Sequence, residues 1–123
     1  MSTLLHDVPS QTAFAIGLSP RVLADSVTGP AVDLADGDGP VFAAIQLGGL
    51  EAGTEVTVEF EQSSGNGSWA AVPVTVPLLT AANTVTVVSF PRPARYLRAV
   101  VTADGPDPQA DVAVLLGQQK KVV

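Results

Sequence analysis

The alternation of apolar and polar residues is clearest over positions 54–72. Glu and Thr separate apolar residues at every second position: Val56, Val58 and Phe60. Successive side chains of a strand point to opposite faces, so the segment predicts a strand with one apolar and one acidic face. A Ser/Gly/Asn run then predicts a tight turn, because Gly and Asn tolerate positive φ. The chain resumes with Trp69, which indicates a hairpin of two antiparallel strands.

Two further segments carry apolar residues on both faces of a predicted strand. In Val41–Leu47, Phe42 and Ala44 lie opposite the main apolar face, which indicates a strand covered on both sides. In Thr84–Phe90 the apolar phase changes after Val87. That change indicates either a β-bulge or coverage on both sides.

Turn signals divide the chain into about eight strands, and no segment has a sustained helical period. The Asp, Gly and Pro residues of 36–40 predict a loop, and Pro73 and Pro77 restrict 74–76 to an edge strand or a bulged segment. Besides the hairpin, the predicted strands are 13–18, 32–34, 41–47, 74–76, 84–90, 96–103 and 112–116.

The pattern predicts an all-β chain that forms a single-domain antiparallel β-sandwich or jelly roll. A length of 123 residues is typical of one domain. We assign 1–10 to a flexible N-terminal arm, 11–117 to the sandwich and 118–123 to a polar C-terminal tail.

Composition narrows the function classes. Only 15% of the residues are charged and the formal net charge is -6, which argues against nucleic acid as a partner. The absence of cysteine excludes disulfides and thiolate metal sites. We expect no signal peptide and no membrane partner, because the chain has neither a basic start before an apolar run nor a stretch of transmembrane length.

Candidate catalytic and metal residues do not form a constellation in the sequence. His6 is the only histidine and lies in the predicted arm. A hydrolase needs a base beside its nucleophile and a third group that orients the base, and the arm is a poor place for that arrangement. Glu55, Glu59 and Glu61 share one solvent-facing strand, which is ordinary polar alternation. The run from Asp33 to Asp38 lacks the terminal Glu of an EF-hand loop, so only an irregular calcium site stays open there. We therefore expect no enzyme activity, no cofactor and no catalytic or metal-binding residues.

Arg92, Arg95 and Arg98 recur at every third position. Residues three apart on a strand face opposite sides, so these arginines do not predict a single basic patch. Arg98 lies inside an apolar strand, where it either pairs with an acid such as Glu59 or reaches a partner surface.

Trp69 and its surroundings suggest two roles. The ring directly follows the hairpin turn and can pack over the hairpin edge. In the alternative role it stacks on a sugar, with Asn66, Asp36 and Asp38 completing the ligand site.

The second half of the chain, from about residue 55 to 123, resembles a group of small β-sandwich proteins encoded by tailed phages and prophages near the major capsid gene, the head decoration (cement) proteins. The first half resembles them only in strand order. The segments that carry the resemblance are Val58–Ser64, Gly65–Trp69, Leu79–Thr84, Phe90–Arg92, Arg95–Val100 and Asp111–Lys121.

This resemblance implies a non-enzymatic structural protein of the virion. It would be made in the bacterial host cytoplasm and bind the outer surface of the phage head, often as a homotrimer, where it clamps neighbouring subunits of the major capsid protein. The residues expected to contact that partner are Leu4, Leu5, His6, Arg92, Arg95 and Arg98. The turn and the Trp also resemble discoidin-like jelly rolls, which implies the alternative of a carbohydrate-binding module. A tail or baseplate adhesion module of the same fold is a further alternative.

Overall fold

A computed structural model of the chain describes residues 12–120, which form nine strands and no helix. The all-β prediction is confirmed. The strands are β1 (Thr12–Leu23), β2 (Ser26–Thr28), β3 (Val32–Asp33), β4 (Gly37–Leu50), β5 (Glu55–Ser63), β6 (Ala70–Ala71), β7 (Thr84–Phe90), β8 (Tyr96–Asp104) and β9 (Ala110–Lys120).

The strands form two antiparallel sheets that pack as a sandwich. The four-stranded sheet has the order β1-β9-β4-β7, so strands distant in sequence are its neighbours. The five-stranded sheet has the order β2-β8-β5-β6, and the short β3 pairs with the same β8 that binds β2.

The core lies between the sheets and contains the inward residues of every long strand. Period-2 alternation produces it: in β5 the apolar residues are buried and the acidic residues opposite them face solvent. The largest fully buried side chains are Phe60, Leu18, Ile45, Leu97, Leu116, Val41, Val56, Val101 and Val114. Truncation of such a residue to Ala removes several kcal/mol of stability, roughly 2–5.

The predicted hairpin is present, but its return strand is short. Asn66 lies at the tip with a φ of 59°, in the left-handed region that the turn prediction required. Glu61 pairs with Ala71, and β6 ends there because Pro73 cannot continue a ladder. The predicted edge strand 74–76 is not a strand, although the chain stays beside β5 and Leu79 pairs with Val56.

Both segments with two apolar faces are regular strands of the four-stranded sheet. β7 pairs with β4 in unbroken register from 84 to 90, so the proposed bulge in β7 is wrong. Val85 and Val87 face outward and are more than half exposed, while Val88 and Phe90 face the core. The phase change therefore marks a strand that is apolar on both faces, with the outer face not covered by any described residue.

Two boundaries differ from the prediction because strands continue through bulges. β4 begins at Gly37, inside the predicted loop, since a register shift between Asp38 and Val41 absorbs Gly39, whose φ is 79°. β9 extends to Lys120, so the tail predicted at 118–123 begins too early. Gln118 anchors this end: its side chain is 3% exposed and donates to the carbonyl of Gly39 at 3.0 Å.

The beginning of the chain also carries more strand than predicted. β1 continues past Leu18 to Leu23 and has two register shifts, and the second, between Leu18 and Arg21, accommodates Pro20. β2 was not predicted, because a three-residue segment is too short to show a period.

Candidate functional site

Both ends of the described chain lie at the same end of the sandwich. Thr12, at the start of β1, pairs with Gln119 of β9, and Lys120 pairs with Gly37 at the start of β4. β7 also ends here, because it runs antiparallel to β4 and its last residue, Phe90, pairs with Val41. β5 ends and β8 begins here, because the two strands are antiparallel and Ser63 pairs with Tyr96. We call this the terminal end; it contains the connections 34–36, 64–69 and 91–95.

Arg95 and Asp33 form an exposed ion pair at the terminal end. Arg95 Nε and Nη2 donate to the two carboxylate oxygens of Asp33 at 3.0 and 2.9 Å, and Asp33 also accepts the N–H of Ala35 at 2.9 Å. The guanidinium, and to a lesser degree that N–H, lowers the pKa of Asp33, while Asp33 raises the pKa of Arg95. The pair fastens β3 to the start of β8, and solvent screens it because both side chains are about half exposed.

Arg98 joins the hairpin to β8 through two contacts. Its Nε donates to Glu61 Oε1 at 2.7 Å, and its guanidinium lies 4.1 Å from the centre of the Trp69 ring. The predicted pairing of Arg98 with an acid of the same chain is confirmed, but the acid is Glu61 and not the suggested Glu59. In the strand register Arg98 faces Glu61, whereas Glu59 faces Val100. Trp69 thus packs over the hairpin edge, where a charge-assisted bond and a cation–π contact hold it.

Unlike Arg95 and Arg98, Arg92 makes no ion pair within the described residues. Its Nη2 makes one long bond, 3.5 Å, to the carbonyl of Leu34, and its side chain is exposed. Leu4, Leu5 and His6 lie outside the described residues. They precede Thr12, however, so the chain joins them to the sandwich at the same end as Arg92.

The four residues of the predicted sugar site lie in two separate segments at the terminal end. Asp36 and Asp38 flank the start of β4, whereas Asn66 and Trp69 belong to the hairpin turn. Asp38 accepts the N–H that follows it at 3.0 Å, and Arg98 covers the Trp69 ring. Within residues 12–120 no hydrogen bond joins Asp36 or Asp38 to Asn66 or Trp69.

The other candidate carboxylates either lie apart along a strand or are already bound by an arginine. Glu55 and Glu59 are solvent-facing neighbours along β5, as the sequence predicted. Both oxygens of Asp33 are bound by Arg95. Across positions 12–120 no group of three or more His, Cys, Asp or Glu side chains is close enough to hold a metal ion.

The outer side of the four-stranded sheet is apolar. Its strand register places Ile16, Leu115, Ala44 and Val87 in one continuous row across all four strands. Ile16 and Val87 are 52% and 61% exposed, and none of the described elements packs over them. We call this surface the apolar face; its members are Phe14, Ile16, Val22, Phe42, Ala44, Val85, Val87, Ala113 and Leu115.

An aromatic pair fixes one end of the apolar face. The rings of Phe14 and Phe42 meet edge to face with centroids 6.2 Å apart. They lie on either side of Gly117, whose register pairs it with both residues. The Phe42 ring occupies the space that a side chain at Gly117 would fill, so glycine is what allows the ring to lie on the sheet.

A groove of about 430 Å³ extends the apolar face at its other end, where β1 bulges at Pro20. Arg21 and Asp111 line the groove, and each forms a hydrogen bond within the chain. Arg21 Nη2 donates to Ser19 Oγ at 3.1 Å, and Asp111 Oδ2 accepts the N–H of Gly49 at 3.2 Å. The groove therefore offers apolar walls with two charged side chains at its rim.

The apolar face is a candidate interaction surface that sequence reasoning did not assemble. Its signal was present in the outward residues of β4 and β7, which the prediction explained by coverage or a bulge. The missing step was strand order, since β1, β4, β7 and β9 become neighbours only in the folded sheet.

Comparisons with known proteins do not assign the chain to a family. No protein-family model matches it, and no curated protein matches it as a relative. Within residues 12–120, no helix has the length and hydropathy needed to cross a membrane.

Proposed function

We propose that the chain is a non-enzymatic structural protein of a tailed-phage virion, which binds the outer surface of the head lattice formed by the major capsid protein. The observation that carries this proposal is the convergence at the terminal end. Arg92 and the point where residues 1–11 join the sandwich lie at this same end, although they are about 80 positions apart in sequence. The resemblance of residues 55–123 to head decoration proteins supplies the identity of the partner.

The terminal end suits attachment to a protein lattice. An extended N-terminal segment can add a strand to an exposed sheet edge, which gives affinity through main-chain hydrogen bonds. Arg92 is exposed and free of any ion pair in the described part of the chain, so it can form a new pair with an acidic lattice residue. By contrast, Arg95 and Arg98 already have acidic partners within the chain, so they position the terminal end.

Binding of this kind stabilises the shell by mass action. A protein that binds the expanded lattice, but not unexpanded or dissociated subunits, shifts the equilibrium toward the expanded lattice. No chemistry is required of the bound protein, and this agrees with a chain whose acidic side chains are spread along solvent-facing strands.

The test measures binding to expanded empty heads assembled from the major capsid protein of the same phage or prophage. The full chain should co-sediment to saturation with expanded heads, bind unexpanded shells weakly and raise the temperature at which the heads disrupt. Arg92→Ala and the double substitution Leu4→Ser/Leu5→Ser should each weaken binding by about tenfold or more. Arg21→Ala is the matched control, because Arg21 is equally exposed but lies away from the terminal end.

Two outcomes would contradict the proposal. One is the absence of saturable binding to expanded heads. The other is retention of the chain by a glycan panel, with loss of retention in Trp69→Ala, which would establish the carbohydrate-binding alternative instead.

A further inference from the structure

The apolar face is a contiguous patch, unlike the single exposed apolar residues that are common on protein surfaces. Five of its members, Phe14, Ile16, Val22, Val85 and Val87, are each more than half exposed. They belong to one flat sheet surface, and contiguous exposed apolar surface of this kind marks an interaction site in soluble proteins. We propose that the apolar face binds a second copy of this chain, so that the four-stranded sheets of two copies pack face to face.

The distribution of charge favours a second copy as the occupant. The chain has a formal net charge of -6, which makes two copies repel each other in most orientations. The outward acids Glu55, Glu59 and Glu61 lie on the five-stranded sheet, on the opposite side of the sandwich. A face-to-face pair therefore brings two mainly apolar surfaces together, with Arg21 and Asp111 at the rim, and keeps the acidic sheets farthest apart.

The size of the face fits a specific interface. For the whole outer side of the sheet, including polar positions such as Gln46 and Ser89, four strands about 4.8 Å apart and about seven residues long, at about 3.3 Å per residue, give a footprint of roughly 440 Å² per copy. Two footprints make roughly 900 Å², and protruding side chains raise the accessible area above the footprint. A face-to-face pair thus reaches about the 1,000 Å² that a specific interface requires.

The side chains of the face are already ordered in one copy. Ile16, Val85 and Val87 are β-branched and have few rotamers to lose. The Phe14 and Phe42 rings hold each other in an edge-to-face pair. Because little side-chain freedom is lost on association, the part of the binding cost that comes from ordering side chains is small.

Face-to-face packing of identical surfaces closes as a two-fold dimer, since each copy uses the same patch. This arrangement differs from the homotrimer that the resemblance implies, and it uses a surface other than the terminal end. The self-association can therefore be tested on the isolated chain, without any capsid, and its outcome is independent of the capsid-binding experiment.

The test is sedimentation velocity of the full chain across the micromolar range. The wild-type chain should form dimers whose fraction rises with concentration. Association should strengthen when salt is added, because salt screens the repulsion between copies and leaves apolar contacts intact. Ile16→Lys and Val87→Lys should each raise the dissociation constant at least about tenfold, since a two-fold interface carries each substitution twice.

The matched control is Thr57→Lys, which places the same side chain at an exposed position in the middle of the five-stranded sheet. It should leave the dimer unchanged, and thermal unfolding should show that all three variants are folded. The proposal is overturned by a chain that stays monomeric throughout, by equal weakening in Thr57→Lys, or by a trimer that is insensitive to Ile16→Lys and Val87→Lys.

Discussion

Gly29→Ala tests how the two sheets meet along one side of the sandwich. Gly29 directly follows β2, and its N–H donates to the carbonyl of Ala99 at 2.7 Å. An alanine Cβ at this position would overlap the backbone oxygen of Gly17 in β1. Gly17 lies at a register shift of β1 and Gly29 directly after the end of β2. The overlap joins two backbones, so no side chain can rotate to relieve it and one of the two backbone segments must shift.

The expected loss follows from the nature of that contact. Overpacking in well-packed regions destabilises by about 1–3 kcal/mol, and a backbone-to-backbone clash belongs at the upper end, about 3 kcal/mol. A domain of this kind has about 5–15 kcal/mol in total, so the variant loses a large fraction of its stability. For 123 residues, an unfolding entropy of about 2.1 cal/mol/K per residue converts 3 kcal/mol into a fall in Tm of about 12 °C.

Urea and thermal unfolding followed by circular dichroism measure this change. Gly67→Ala is the matched control, because Gly67 lies in the hairpin turn with no atom within 4 Å of an added Cβ and no positive φ. It should leave stability unchanged or raise it by about 0.4–1 kcal/mol. A Gly29→Ala variant within about 0.5 kcal/mol of the wild type would refute the backbone contact between the two sheets.

Three further substitutions test single contacts. Arg98→Met should lower the free energy of unfolding by about 1–2 kcal/mol and change the fluorescence of Trp69, the only tryptophan; an unchanged emission spectrum would exclude the stacked geometry. Asp33→Asn should be less stable than the wild type at neutral pH, and the difference should vanish as the pH falls below about 4. The reason is that Arg95 lowers the folded-state pKa of Asp33, so its contribution is lost on protonation; a difference that persists in acid would exclude a charge effect. Ser63→Ala should raise stability by about 1 kcal/mol in urea unfolding, because in the described structure Ser63 Oγ is buried without a hydrogen-bond partner; destabilisation would reveal a partner.

Much of the fold could be predicted because its signals are local. The hairpin at 54–72 combined a period-2 pattern with an Asn that tolerates positive φ, and both features are present in the structure. The apolar residues on both sides of β7 were also visible. They were explained partly by a bulge, because an apolar surface without a covering element contradicts the usual pattern of a sandwich strand.

The contacts of the terminal end could not be predicted from local signals. The sequence offered several acids to Arg98, and only the register of β5 against β8 selects Glu61. Likewise, Gln118 reads as part of a polar tail, yet the fold buries it against the carbonyl of Gly39, 79 positions earlier. Each contact joins residues far apart in sequence, so it depends on which strands become neighbours.

The amino-acid sequence by itself determined that this chain forms two-faced strands, because the backbone pleat sends alternate side chains to opposite sides whatever the neighbours are. The tertiary structure alone decided that β1, β9, β4 and β7 lie side by side. That order converts isolated outward residues such as Ile16, Leu115 and Val87 into one continuous apolar surface. Strand order is fixed by burial of the shared core and by long-range hydrogen bonding, and neither is encoded in the period of a single strand.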